Sequence, residues 1–305
     1  MKIAPLNGRR DSSLARRRFL ATAAKAGALL ATLNIVPQSG LGAEAPSNQT
    51  PVASIGAGRL GDASGPAEFK VLLFSKTLGF RHANIPLGIE AIRRLGVEHG
   101  FAVDATEDSG VFTPENLGRY KSVIFLSATG HVLDEGQQRA FKDYVLGGGG
   151  FVGIHGALFG PSACEEKWAW YGGLCCVAFK DHSAVVPARV DIEDRTNPST
   201  AELPEHWLRT DEWYNYQGTP RGGARVLATV EESTYQGGTV GQDHPIAWCK
   251  PMGKGIVWYS AMGHTDESFR EPLFLKHILG GIQLTARVKP GDLTPNPKPA
   301  RRQTE

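Results

Sequence analysis

The chain has 305 residues, 41% of them hydrophobic, with 33 Lys and Arg against 31 Asp and Glu. The first 45 residues hold seven of the basic side chains and two of the acidic ones, which leaves 26 against 29, a net charge of about −3, for the rest. That slightly acidic remainder gives no electrostatic reason to expect nucleic acid or an anionic membrane surface as a partner.

At the N-terminus Arg16-Arg17-Arg18-Phe19-Leu20 forms a twin-arginine motif ahead of a mildly apolar stretch, residues 21–36. That stretch contains Lys25 and is shorter than the roughly 20 strongly apolar residues of a membrane span. Residues 1–45 therefore read as a twin-arginine signal peptide, cut after Ala43 because Pro46 hinders cutting after Ala45. The expectation is a periplasmic or secreted protein, exported already folded into an oxidising compartment, with no stable membrane span once the signal is gone. Residues 46–67 read as a flexible lead and 289–305 as a disordered tail, both from their composition. The 68–288 stretch between them has no repeat and no second linker, which suits one domain.

Within that domain Phe69–Phe74, Phe101–Ala105 and Ser122–Leu126 are short apolar runs closed by polar or turn-forming residues, as strands are. Helical segments alternate with them. Ile85–Glu98 places Ile85, Ile89, Ile92 and Leu95 on one face, and Asp134–Leu146 does so with Phe141 and Val145, with Asp134 placed to cap its start. A further strand from Phe151 completes the pattern of a doubly wound, mostly parallel sheet. The later runs, Val185–Ile192, Trp207–Tyr216, Arg225–Val230, Ile246–Lys250 and Ile256–Ser260, follow one another as strands, with a helix over Phe269–Ile282. They predict an antiparallel extension in the C-terminal half. Gly253-Lys254-Gly255 is a tight turn between the last two of these strands.

In open parallel sheets ligands bind beyond the carboxyl ends of the strands. Four predicted strand ends are followed by a glycine and a histidine: Gly79 with His82, Gly130 with His131, Gly153 with His155, and Gly263 with His264. Gly147–Ala157, GGGGFVGIHGA, is the most telling, because an apolar strand runs straight into His155 between small residues that let the backbone turn. The Gly-Ile-His-Gly-Ala sequence has the shape of a nucleophile elbow, in which Ser or Cys sits on a sharp strand-to-helix turn; here the position is an imidazole, which is a poor acyl carrier.

Asp211 and Glu212 lie in a predicted strand, so alternation sends them to opposite faces and only one easily enters a pocket. Whichever is buried needs a histidine, an arginine or a metal as partner. Phe179-Lys180-Asp181-His182 reads as a loop over the same pocket, with Trp168, Trp170 and Tyr171 as an aromatic wall suited to a sugar ring. His244 either reaches the pocket or caps the start of its strand. The four cysteines, Cys164, Cys175, Cys176 and Cys249, show no CxxC spacing, so a sulfur-based zinc site is not expected, and a vicinal Cys175-Cys176 bridge would be strained. No HxH or HxxxH spacing marks a local metal site. No Ser/Thr-rich phosphate loop follows the first strand at Ser75-Lys76-Thr77, so neither flavin nor nucleotide is expected.

Phe80-Arg81-His82, Gly149–Ala157, Phe179–His182, Asp211-Glu212 and His244–Thr265, in that order, resemble the ThuA-like, trehalose-utilisation family over about Phe69–Ala286. The resemblance implies a class I glutamine amidotransferase-like fold of the flavodoxin type, with His155 where true amidotransferases carry a cysteine, and therefore no glutamine amidotransferase activity. It also implies a role in carbohydrate metabolism, on disaccharides and their 3-keto derivatives, with a carbohydrate as the ligand. On that footing His155 is the general base or a ligand, with Asp211 or Glu212 setting its charge. Arg81, His82, His182, His244, His264 and Trp168 are assigned to substrate, and His82, His155 and His264 are the candidates for a divalent metal. The activity expected is that of a hydrolase or lyase; a non-catalytic sugar-binding or assembly module is the alternative. Oligomeric state is not legible.

Overall fold

The computed structural model describes residues 67–158 and 168–297. The expected signal peptide, nearly all of the expected lead, Cys164 and residues 298–305 lie outside them. The order is β1 (Phe69–Phe74), α1 (Ile85–His99), β2 (Phe101–Thr106), α2 (Pro114–Leu117), β3 (Ser122–Leu126), α3 (Glu135–Gly147) and β4 (Gly150–Ile154). It continues with α4 (Ala169–Cys175), β5 (Ala178–Ile192), β6 (His206–Gln217), β7 (Arg225–Val230), β8 (Pro245–Met252), β9 (Gly255–Ser260) and α5 (Pro272–Thr285).

The nine strands form one mixed sheet in the order β2-β1-β3-β4-β9-β8-β7-β5-β6. The first five in that order are parallel and the pairings from β9 through β8, β7, β5 and β6 are antiparallel. β3 (SVIFL) and β4 (GFVGI) are buried at every position, as strands covered on both faces must be. Phe125 on β3 and Phe151 on β4 face α3, where Phe141 meets both rings at 5.3 and 5.6 Å. The alternate residues face the other way, where Leu126 lies against Gly88 of α1 and Trp258 of β9 against Gly281 of α5. The Gly280-Gly281 pair, unfavourable in a helix interior, is required here because a Cβ on Gly280 would stand 2.2 Å from the Pro198 carbonyl oxygen.

Helix α3 opens on a capping box in which Asp134 and Gln137 satisfy each other's backbone amides, as the sequence predicts for Asp134. The predicted helix over Phe269–Ile282 is a correction. A short 3-10 turn covers Glu267–Arg270, and the helix proper starts at Pro272, whose missing N–H is tolerated only in a first turn. A second correction concerns Phe179–His182. It is not a loop but the first part of β5, a 15-residue strand with register shifts between Phe179 and Asp181 and between His182 and Val185.

Those irregularities position the site. β5 pairs with β7 only at Val190–Ile192, while its Ala178–Val186 half pairs with β6 alone. The bulged half of the β5–β6 ribbon thus leaves the sheet and bends back over the strand ends. Beyond α5 the expected tail begins with a fastened segment, in which Arg225 pairs with Asp292 at 2.8 Å and Asn296 exchanges two hydrogen bonds with the Val226 backbone. No disulfide joins Cys175, Cys176 and Cys249. Among the described residues no helix is long and apolar enough to cross a membrane.

His277 of α5 is fully buried; its Nδ1–H donates to the Ser199 carbonyl at 2.9 Å and its Nε2 lies 3.2 Å from the Ser260 hydroxyl. Burial pushes it down to about 4 from the usual histidine value. Because the folded value is depressed, its neutral form stabilises the fold fully above pH 6.5, and that contribution fades as pH falls towards 4. We expect His277→Asn, which keeps a donor towards Ser199, to remove on the order of 3 kcal/mol from the acid-side loss of stability. Urea unfolding of both proteins at pH 7 and pH 4.5 checks this; parallel losses in the two would assign the acid sensitivity elsewhere.

Candidate functional site

β4 ends at Ile154 and the chain turns at once through His155-Gly156-Ala157. His155 adopts a positive φ of 49°, rare for a residue with a Cβ and a mark of local strain. Neighbours hold it there. The Tyr259 hydroxyl donates to the His155 carbonyl at 2.8 Å, and Gly156 leaves the room that His82 occupies, since a Cβ on Gly156 would stand 3.0 Å from the His82 ring.

The His155 tautomer follows from its partners. Nδ1 lies 2.8 Å from the Ala261 carbonyl, which only accepts, so Nδ1 carries the hydrogen and Nε2 presents its lone pair to the pocket. There the Tyr214 hydroxyl donates to it at 2.9 Å, and the His264 Nδ1 lies 3.1 Å away. Complete burial, and next the neighbouring His82, hold His155 well below the usual histidine range. His82 is pushed down to about 4 by burial and then by His264. His264 goes the other way, raised chiefly by its hydrogen bond to Glu212. Tyr214 is raised well above the usual tyrosine range by burial, then by Glu212, so it acts as a donor.

Glu212 and Tyr214 sit two apart on β6 and so share a face, which the bent ribbon turns onto His155. One Glu212 oxygen lies 3.0 Å from His182 Nδ1, whose hydrogen bond goes to the Ser183 carbonyl at 2.8 Å; the other lies 3.3 Å from His264 Nδ1 and 3.5 Å from His155 Nε2. The cavity bordered by His82, His182, Glu212, Tyr214 and His264 has a volume of about 620 Å³, with Phe80 and Phe179 as apolar wall and His155 fully buried just behind it. His82, His155, Glu212 and His264 each offer a donor atom, all within 4.8 Å of one another.

Asp211 takes the opposite face and is fully buried. One of its oxygens accepts from the amides of His264 and Glu212, both at 2.9 Å; the other accepts from Gly263 N–H at 2.8 Å and from Arg209 at 2.9 Å. Across the same loop Asn84 donates to the carbonyls of Gly263 and His264, at 2.8 and 2.7 Å. The backbone that carries His264 is therefore held from two sides.

Of the residues assigned from sequence, the structure brings together His82, His155, His182, Glu212 and His264. It separates four others. Arg81 is exposed and pairs with Glu107 at 2.7 Å. His244 is buried behind β6, bound to Glu232 at 2.8 Å and to the Tyr214 carbonyl at 2.8 Å. Trp168 stacks on Tyr171 at 4.7 Å and borders a separate groove on α3, not the His155 cavity. Asp211 positions the loop and does not face the cavity. Sequence reasoning did not single out Tyr214, Asn84 or Arg209; for Tyr214, its i+2 spacing from Glu212 was the available signal.

The family model described as ThuA, trehalose utilisation, matches residues 70–285. Among solved structures, the chain is similar to a ThuA-like protein from Bacteroides uniformis, at 23% identity and TM-score 0.63, over 72% of this chain and 91% of that one. It is also similar to one from Parabacteroides merdae, at 19% identity and TM-score 0.60, over 74% of this chain and 91% of that one. A cytoplasmic protein from Salmonella typhimurium LT2 follows at 13% identity and TM-score 0.54, over 71% of this chain and 99% of that one. At such identities these likenesses show the fold alone. No curated protein matches the sequence.

The two adjacent carboxylates should respond unequally to loss of charge. In Asp211→Asn the amide cannot accept all four hydrogen bonds and leaves buried Arg209 with only the more distant Glu271, at 3.6 Å, as a counter-charge, so a loss of about 3 kcal/mol is expected. Glu212→Gln at pH 8 removes a partly desolvated charge with no Lys or Arg partner and should change stability by less than about 1 kcal/mol. Urea midpoints read both, and the reverse pattern would exchange the two roles.

Proposed function

The chain belongs to the ThuA, trehalose-utilisation, family, and we propose that it is an exported enzyme of carbohydrate metabolism acting on a glycoside or an oxidised, 3-keto sugar in the cavity at His155. The observation that carries this reading is the meeting of three kinds of proton-handling group at one wall of the cavity: the Glu212 carboxylate and the Tyr214 hydroxyl that line it, and the proton-free Nε2 of His155 directly behind them. Such a wall can take a proton from a substrate carbon or from water and return one to a leaving oxygen. In a 3-keto sugar the carbonyl acidifies the hydrogen on C2. Removing it as a proton forms the C1–C2 double bond and expels the C1 oxygen, which takes up a proton; water adding across that bond completes a net hydrolysis.

Other features agree. A cavity of about 620 Å³ is in the range of small-molecule sites, and Phe80 and Phe179 offer faces for a sugar ring. His182, half-exposed at the rim, is placed to meet sugar hydroxyls. The parallel strand order β2-β1-β3-β4-β9 supports a flavodoxin-type reading of that half of the sheet, and the positive φ of His155 supports an amidotransferase-type elbow whose nucleophile has become an imidazole. An imidazole there gives no route to glutamine hydrolysis. The twin-arginine motif supports export, and the periplasm or exterior is where oligosaccharides are first met.

Purified protein offered a panel of disaccharides and 3-keto-disaccharides should release a monosaccharide from at least one, with turnover lost in His155→Ala while its far-UV circular dichroism is kept. Full activity in that variant would sink the assignment of His155. Saturable binding without product in the unsubstituted protein would favour a sugar-binding module instead.

A further inference from the structure

Three possible ligand atoms crowd one point beside the cavity: His155 Nε2, His264 Nδ1 and Glu212 Oε2 are separated by 3.1, 3.3 and 3.5 Å. The Ala261 carbonyl takes the hydrogen of His155 at Nδ1, so His155 Nε2 and the Glu212 oxygen face each other as two lone-pair groups. His264 Nδ1 supplies the hydrogen between them, and the Tyr214 hydroxyl, 2.9 Å from His155 Nε2, is the other donor that an ion would displace. Four ligands placed tetrahedrally about 2.0–2.1 Å from one ion would stand roughly 3.4 Å apart. The three observed edges scatter around that value.

His82 supplies the fourth corner. One of its ring nitrogens lies within 4.8 Å of the other donors, and its Nδ1 is buried with no hydrogen-bond partner. A residue 5% exposed with an unpaired ring nitrogen costs stability unless something binds it. Tetrahedral ligands at these bond lengths stand roughly 3.4 Å apart, so closing the set moves the His82 ring inward by up to about 1.4 Å from that 4.8 Å limit. The outer contacts are those of a metal centre. His155 donates its Nδ1–H to a backbone carbonyl, which orients the ring and fixes its tautomer, and the second Glu212 oxygen lies 3.0 Å from His182 Nδ1.

We infer that His82, His155, Glu212 and His264 bind one divalent first-row transition ion of the zinc or manganese kind. Three imidazoles and one carboxylate favour such an ion over magnesium or calcium, which prefer all-oxygen sites. The inference stands on the donor geometry and does not depend on the substrate. It deepens the proposed activity in one respect: with an ion bound, the His155 lone pair would serve as a ligand, and the ion would supply the base by making a bound water more acidic.

The full chain, freed of metal by dialysis against a chelator, is titrated calorimetrically with Zn²⁺ and Mn²⁺, and with Co²⁺ as a spectroscopic probe. One equivalent per chain should bind with micromolar or tighter affinity, in the presence of excess Mg²⁺, and Co²⁺ should give visible absorption bands of a nitrogen-rich site. His82→Ala and Glu212→Gln should each weaken binding by about 100-fold or more, beyond what loss of an outer contact causes, while His131→Ala leaves it unchanged. Equal affinity in all variants overturns the site. Should His82→Ala fail to fold, the Co²⁺ spectrum of the unsubstituted chain decides, and its absence at saturating Co²⁺ also overturns the site. Binding and sugar turnover are read in separate assays, so either proposal can fail alone.

Discussion

The Asp211 carboxylate is the constraint on which the pocket depends. It is a buried charge on β6, neutralised by Arg209 and saturated by the amides of Gly263, His264 and Glu212. These contacts tie the bent β5–β6 ribbon to the loop after β9, two segments that meet only over the strand ends. Because one oxygen binds the His264 amide and the Glu212 amide together, the side chains of those residues are brought face to face. Arg209 is itself sandwiched by the rings of Trp207 and Phe274, 4.6 and 4.5 Å from its guanidinium carbon. A carboxylate so fully bonded has no capacity left for a ligand, and this separates its role from that of its neighbour.

Around that anchor the pocket collects groups that a purely stable protein would avoid. A non-glycine residue at positive φ, a ring nitrogen without a partner and an ionisable side chain facing another acceptor each carry a cost. They all lie within one cavity, at the carboxyl ends of the parallel strands. Costs of this kind also occur elsewhere, as at Cys176, Arg287 and Gln283, but three of them meeting around one imidazole mark a site held by the rest of the fold. The burial that keeps His82 and His155 neutral also leaves their lone pairs available, to a proton or to a cation.

Much of this was legible in the sequence, and what was not has physical causes. The parallel half of the sheet showed plainly because doubly covered strands are continuous apolar runs, and three of the four histidines that follow a glycine at a strand end reached the pocket. Arg81, Trp168 and His244 misled because a motif preserves residue order but not side-chain direction. Arg81 turns out to Glu107, Trp168 stacks towards α3, and His244 supports the Tyr214 backbone from behind. Asn84 was hidden by its position. Just before α1 it looks like an ordinary helix cap, yet its side chain makes no cap and reaches carbonyls about 180 residues away. The bulges in β5 leave only a weak trace in composition, so the bend that delivers Glu212 could not be read from β-strand alternation.

The choice of histidine at position 155 can be understood from reach. A serine or cysteine at this turn would place one atom at the mouth of the elbow and touch one partner. The imidazole spans farther: Nδ1 holds the Ala261 carbonyl beyond β9, while Nε2 meets Tyr214 and approaches Glu212 on β6. One ring thus joins the parallel half of the sheet to the ribbon folded over it, using one nitrogen for structure and leaving the other for chemistry. The two uses are coupled, because the hydrogen bond at Nδ1 is what keeps the lone pair at Nε2. A substitution that restores only the elbow geometry, such as His155→Cys, therefore loses both the bridge and the basic nitrogen, and the site cannot revert to thiol chemistry without new partners for the ribbon.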